Sequence, residues 1–212
     1  MFSVIIVNHN LTNNIIESVK SVLSFISENE YEIIIVDNNS SQGEKKSLTN
    51  ALGNNTHVKI SFLDSNKGFG YGNNFGIAKA SGDILFLLNP DTLITSNIFK
   101  DVKEMIERFP EISVLGPKIY NENKIQEKSI GIFPNLFLEF LNIFFLNKIF
   151  EKRYFNKKVK ENEAEFLEVD WVTGSAIFIR KSIFESIGGF DTNFFMYSEE
   201  IDLCKRIKDT GG

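Results

Sequence analysis

Hydrophobic residues fall in short unbroken runs over the first 110 positions. The runs alternate with stretches whose apolar residues are spaced by three and four. "FSVIIVN" (2–8), "YEIIIVD" (31–37), "HVKISFLD" (57–64) and "DILFLLN" (83–89) have strand length and are rich in β-branched residues. Continuous apolar runs of that length read as strands buried on both faces. Within "LTNNIIESVKSVLSF", Ile15, Ile16, Val19, Val22 and Leu23 keep a helical spacing. "NNSSQG" (38–43) is a turn into a helix ending near 52. "GYGNNFGIAKA" (70–80) is a loop becoming a helix, and 95–109 is another helix. This alternation predicts an α/β fold: an open, mostly parallel sheet flanked by helices, Rossmann-like in its N-terminal half.

The second half loses the rhythm. "ISVLGPKIY" (112–120) has strand character, while 121–165 has no regular alternation. That stretch holds the phenylalanine-rich "IFPNLFLEFLNIFFLNKIF" (132–150) and the basic "KRYFNKKVK" (152–160). Pro134, Glu139, Asn142 and Lys148 break the apolar run, so it does not span a bilayer. An apolar-aromatic stretch followed by lysines suits a surface lying on an anionic membrane. A helical cover on the domain or a homodimer contact would use the same phenylalanines. "VDWVTGSAIFIRK" (169–181) reads as a strand after a tight turn, "SIFESIGGFD" (182–191) as a short helix closed by glycine, and "EEIDLCKRIKDTGG" (199–212) as a helix. The whole chain reads as one domain: a first half, 1–110, and a second half, 111–212, that carries the irregular segment 121–165.

Composition narrows the class. A net charge of -5 argues against a nucleic-acid partner. Cys204 is the single cysteine, so a reducing, cytoplasmic compartment is the default. No basic residue precedes the apolar start, so it does not read as a signal peptide.

In an open parallel sheet, ligands bind beyond the carboxyl ends of the strands. Three runs end in polar residues suited to that: Asn8 and Asn10, Asp37 and Asn38, Asn89 and Asp91. The same residues also make turns and helix caps. A dinucleotide site is excluded, because the first turn, "NHNLTNN", has no glycine. The glycines come later, in "NKGFGYGNNFG" (66–76), and do not fit that spacing.

Four stretches occur in one order: "VDNNSS", "NKGFGYGNNFGIAKASGDILFLLNPDT", "VTGSAIFIRK" and "GGFDTNFFMYSEEIDLCKRIKDTGG". Together they resemble the family 2 glycosyltransferases, inverting enzymes of the GT-A fold, and most closely their rhamnosyltransferase-like branch. The resemblance covers nearly the whole chain except 121–165. It implies transfer of a sugar from a nucleotide-diphosphate donor, dTDP-rhamnose or a UDP-sugar, to a glycan or polyprenyl-linked acceptor in cell-surface polysaccharide synthesis. Residues 1–110 would then be the nucleotide-sugar half and 111–212 the acceptor and catalytic half. It also implies work at the cytoplasmic face of the membrane.

Residue by residue, the resemblance places Val7, Asn8, Asn10, Asp37, Asn66, Gly68, Asn74, Asn89 and Asp91 at the nucleotide sugar. Asp37 would accept from a base N–H or cap the next helix. Asp91 is the last position of the family's D-x-D motif and would hold Mg²⁺ or Mn²⁺ against the diphosphate, with neutral Asn89 in the first position. Glu200 holds the place of the general base, as Glu where the family has Asp, with Glu199 beside it. Trp171, Gly174 and Ser175 fall beside sugar or acceptor, although Trp171 would serve equally as a core aromatic. Asp202 suits a helix ion pair with Lys205 or Arg206. Family members often carry a further His after the last helix, and this chain ends at Gly212 before one, as a truncated protein would. Asn89 and Glu200 leave room for a second reading, a GT-A domain without catalysis that serves as a binding module or scaffold. A nucleotidyltransferase would need a glycine-rich loop with Arg and Lys after the first strand, and that loop is absent.

Overall fold

The computed structural model describes residues 1–26, 31–134 and 166–211. Four parallel strands form its centre: β1 (Phe2–Asn8), β2 (Tyr31–Asp37), β3 (Val58–Phe62) and β4 (Ile84–Leu88). The helices between and after them are α1 (Thr12–Leu23), α2 (Gln42–Leu52), α3 (Phe69–Ile77) and α4 (Ile98–Arg108). The second half adds β5 (Val114–Leu115), β6 (Ile130–Gly131), β7 (Trp171–Val172), β8 (Ala176–Arg180), α5 (Lys181–Ser186) and α6 (Glu199–Asp209). Among the described residues the main sheet runs β3-β2-β1-β4-β8-β5, and β6 pairs with β7.

The runs of β1, β2 and β4 are largely apolar because both faces are covered, whereas the edge strand β3 leaves Lys59 and Phe62 exposed. Period-two alternation sends Val4, Ile6, Ile33 and Ile35 to the face holding α1, α2 and α4. Ile5, Ile34 and Val36 go to the face holding α3, α5 and α6. Each such side chain, fully buried, contributes about 1.5–3 kcal/mol. The α3 helix lies unusually close to the sheet. A Cβ on Gly72 would stand 2.7 Å from Val7 Cγ1, and one on Gly76 2.8 Å from Ile5 Cγ2. These two glycines admit a helix to the sheet.

The α/β expectation holds, with three refinements. β8 runs antiparallel to β4, where Phe86 and Phe178 face each other and stack at 3.9 Å, and β5 runs antiparallel to β8. The run at 112–120 shortens to Val114–Leu115, since Pro117 has no N–H for a ladder. The run at 169–181 divides at its turn: β7 pairs with β6, and β8 joins the main sheet.

At the amino edge of the sheet, Glu32 is buried and fully used. Its Oε1 accepts from Ser3 Oγ (2.7 Å) and from the N–H and Oγ of Ser81 (2.5 and 2.7 Å), and its Oε2 accepts from Lys59 Nζ (2.6 Å). Burial pushes its carboxyl up, but the Lys59 ammonium and the Ser81 and Ser3 donors outweigh it and bring the pKa down to about 2.

Among the described residues no helix is long and apolar enough to cross a membrane. The aromatic and basic run 132–160, with the membrane-surface and homodimer expectations placed on it, lies outside the described residues except for 132–134.

Candidate functional site

Parallel strands collect their carboxyl ends on one edge, so Asn8, Asp37 and Asn89 gather there. The antiparallel β8 starts at the same edge, preceded by the turn Thr173–Ser175. The Asn89 N–H donates to the Ser175 carbonyl at 3.0 Å. Glu200, in the first turn of α6, joins them: a Cβ on Gly174 would stand 3.9 Å from Glu200 Cδ and from the Phe69 ring. Two crevices, of about 280 and 460 Å³, lie instead towards the amino edge, near Met1 and Asp83 and near Tyr31 and His57.

The floor of the edge is a closed hydrogen-bond set. Asn8 Nδ2 donates to Asp37 Oδ2 (2.7 Å) and Ser40 Oγ (3.2 Å), and Asn8 Oδ1 accepts from the Leu11 N–H (3.0 Å). Asp37 Oδ1 accepts from the Ser40 N–H at 2.9 Å. Asn8 and Asp37 have no exposed surface, and Val7 lies under Gly72. Of these three side chains, expected at the donor, Asp37 also closes its own turn. Asn10 is exposed, with φ 59°, and its Oδ1 accepts from the Ser41 N–H. At the start of α1, the Thr12 N–H donates to Glu44 Oε2 (3.1 Å). A pyrophosphate at that helix end would meet a carboxylate, which agrees with the missing dinucleotide motif.

Asn38, which sequence reasoning noted only as a strand-end residue, is a junction. Its Nδ2 donates to Asn66 Oδ1 (2.8 Å) and the Gly68 carbonyl (3.1 Å), and its Oδ1 accepts from the Lys67 N–H (3.0 Å). This fixes the 66–68 turn against β2. Gly68 has φ 89°, and a Cβ there would overlap the Phe195 carbonyl. The glycine read as room for a ligand makes room for the chain before α6. His9 lies beside this junction. It stands exposed here, its Nδ1 3.0 Å from the Asn38 carbonyl.

Asp91 is the opposite of Asp37. It is exposed at the tip of β4 and, among the described residues, accepts no hydrogen bond. Asn89 beside it is half-buried, its carbonyl closing a turn with the Thr92 N–H (3.1 Å). Among the described residues no three His, Cys, Asp or Glu side chains cluster as a metal cage. A single unspent carboxylate fits a cation such as Mg²⁺ whose shell is completed by substrate phosphates and water.

The two glutamates at the start of α6 differ. Glu199 is buried, and its Oε2 has no partner among the described residues. Burial pushes its carboxyl above the usual range, the Glu200 charge adds to this, and its own backbone N–H opposes. Glu200 is half-exposed. Asp202 pairs with Arg206 Nε at 2.8 Å along the helix. The chain enters α6 through two left-handed residues, Tyr197 (φ 70°) and Ser198 (φ 72°), neither a glycine. Such residues cost about 1–3 kcal/mol each and persist only where their surroundings hold them.

Two attachments to α3 do that holding. The Phe69 N–H donates to the Phe195 carbonyl at 3.1 Å. Asn74 Nδ2 donates to the Phe190 carbonyl (2.8 Å), and Asn74 Oδ1 accepts from the Phe190 N–H (2.9 Å). At about 0.5–1.5 kcal/mol per bond, three bonds are comparable to the strain. Asn74, expected at the donor, thus has both polar ends of its carboxamide on the Phe190 backbone. Trp171 lies across Gly131 and donates from Nε1 to the Ile132 carbonyl (3.1 Å), which suits the core alternative.

The family model described as "Glycosyl transferase family 2" matches residues 3–188. A hexosyltransferase of low-salt glycan biosynthesis, Agl10 of Haloferax volcanii, is 29% identical over 97% of this chain and 61% of that protein. An N-acetylglucosaminyl-diphospho-decaprenol L-rhamnosyltransferase of Mycobacterium tuberculosis is 25% identical over 89% of this chain and 64% of that protein. The chain therefore spans less than two thirds of the length of these relatives. Among solved structures, the mannosyltransferase PcManGT of Pyrobaculum calidifontis, in complex with GDP-Man and Mn²⁺, superposes with a TM-score of 0.68. That match has 16% identity and covers 99% of this chain and 52% of that one. It shows the shared GT-A fold.

Proposed function

The chain belongs to glycosyl transferase family 2, and from that membership we propose that it transfers a sugar, with inversion, from a nucleotide-diphosphate donor to a hydroxyl of a glycan or lipid-linked acceptor in cell-surface glycan synthesis. The observation that carries this is the placement of Glu200 beside the Gly174 turn, on the edge where β4 displays Asp91. Residues 1–110 supply the donor side and 111–212 the base and acceptor side.

In the proposed reaction, the acceptor oxygen attacks the anomeric carbon from the face opposite the leaving group. The new C–O bond forms as the bond to the diphosphate breaks, and the electron pair leaves with the nucleoside diphosphate. Glu200 takes the hydroxyl proton. A base must come within reach of the proton; half-exposed Glu200 is open to an acceptor, whereas Glu199 is buried. Asn10, Asn66, Asn89 and Asp91 are the expected side chains with surface on the donor side. Asp91 would hold the divalent cation, Mg²⁺ or Mn²⁺, which when bound neutralises charge on the diphosphate. The relative that acts on a decaprenol-linked sugar supports a polyprenyl-linked acceptor, which would put the reaction at a membrane surface. The rhamnosyltransferase-like relative supports dTDP-rhamnose as the donor, with UDP-sugars as the alternative.

The test is ligand binding to the intact protein. A thermal-shift screen of nucleotide sugars with and without Mn²⁺ is expected to show a metal-dependent rise in melting temperature. In Asp91→Ala that dependence should vanish while the melting temperature without ligand stays the same. Unchanged Mn²⁺-dependent binding of the nucleoside diphosphate by that variant, measured by calorimetry, would remove Asp91 from the site.

A further inference from the structure

We propose that Asn74 is a positioning residue for Glu200, acting through the loop 190–198 rather than through the donor. The inference deepens the reading of Glu200 as the base and rests on it.

In the motif "GGFD" both glycines are left-handed, and Asn74 and the Phe184 ring crowd the second. Gly189 has φ 75°, and a Cβ on it would stand 2.7 Å from Asn74 Oδ1. The glycine turn is thus shaped around the carboxamide. Asn74 then holds both polar groups of the Phe190 backbone, across 116 positions of sequence. The Phe190 ring seals the joint edge-on against Phe69 (6.0 Å) and Phe184 (5.6 Å). Five residues on, the Phe69 N–H takes the Phe195 carbonyl. Both ends of the loop are therefore fastened to one helix, α3.

Beyond the second fastening come Tyr197 and Ser198, the two left-handed residues that aim the first turn of α6. Leu203 and Ile207 anchor the body of α6 in the core, but they lie past the first turn. Arg206 and Lys208 fasten the same body to Ile187 and Asp170, so the loop is what sets how the chain enters the first turn, where Glu199 and Glu200 lie. With Asn74 gone, the strained pair can relax out of the left-handed region, and Glu200 shifts against the Gly174 turn.

The experiment compares the parent with Asn74→Ala in the intact protein by three readouts. Hydrogen exchange should accelerate about tenfold or more at amides 190–200 while α3 and the sheet stay protected. Turnover should fall by about 100-fold, the scale of a misplaced catalytic group. Nucleoside diphosphate affinity should change less than about threefold, the split expected when only the transition state loses an interaction. Asn74→Asp, which keeps the acceptor towards the Phe190 N–H, should fall between parent and Asn74→Ala, and it decides the matter if Asn74→Ala does not fold. Nucleotide affinity lost in proportion to turnover would make Asn74 a donor ligand and overturn the inference. Unchanged exchange at 190–200 would overturn it as well. A parent that transfers no sugar defeats the proposed function instead, and the exchange readout still decides the role of Asn74.

Discussion

Glu32 and Glu199 are the same side chain at nearly the same depth, 6% and 5% exposed, near opposite edges of one sheet. At the amino edge, Glu32 is surrounded by donors, and its carboxyl is held near 2. At the carboxyl edge, Glu199 keeps an oxygen without a partner, and its carboxyl is pushed up. Depth alone therefore decides nothing; the supply of donors sets the sign of the shift. The same contrast runs through the neighbours. Asp37 is closed into a turn, whereas Asp91 is left exposed, and left-handed non-glycine residues precede α6. Unspent polar groups and stored strain gather at the edge proposed for chemistry.

The sharpest way to break that contrast is to swap consequences between the edges. Glu200→Gln should slow transfer by about 10²–10⁴-fold, the range for a lost general base. Its melting temperature and nucleotide affinity should match the parent. Near-normal turnover in Glu200→Gln would take the base away from this residue. If Glu199→Gln alone abolished transfer, the role would move one position back.

The amino edge should answer in stability instead. Glu32→Ala strands the buried hydroxyl of Ser3 and the N–H of Ser81, while Lys59 is 55% exposed and turns to water. A loss of about 2–3 kcal/mol in urea unfolding is expected, with nucleotide binding intact. The pH dependence follows from the sign of the shift. The folded pKa, about 2, lies below the ordinary glutamate value of 4.5. Glu32 therefore stabilises fully above pH 4.5, and its contribution, up to about 3 kcal/mol, is lost as pH falls from 4.5 to 2. Glu32→Gln should flatten that acid limb; an unchanged limb would mean that other groups carry it.

The contrast also marks what the chain discloses before folding. β1, β2 and β4 were legible because their faces are both buried, so Val4, Ile5 and Ile6 form one unbroken run. The exposed position of Asp91 was legible because the run Phe86–Leu88 ends just before it. The direction of β8 was not, since a strand's own pattern is the same in either direction. The role of Gly72 and Gly76 was not legible either, since they meet Val7 and Ile5, far away in sequence. The hydrogen bonds of Asn74 and Asp37 were hidden for the same reason. Their partners, Phe190 and Asn8, are invisible to local spacing.

The smallest effect is also the most direct test of the two acids as a pair. A carboxyl whose pKa is raised on folding binds its proton more tightly in the native state. Stability then declines as pH rises from the unfolded value through the folded one. Glu199 should therefore weaken the fold above about pH 4.5, the range in which Glu32 is fully stabilising. Replacing it with Gln removes the ionisation and keeps the shape, so Glu199→Gln should melt slightly higher than the parent at pH 7. The gain should be smaller than the Glu32 loss, because the backbone N–H at Glu199 already offsets part of the burial. Melting temperatures measured between about pH 5 and 8 should converge towards the acid end of that range. If Glu199→Gln melts lower throughout, the charged form is wanted in the fold, and the opposition between the two glutamates fails.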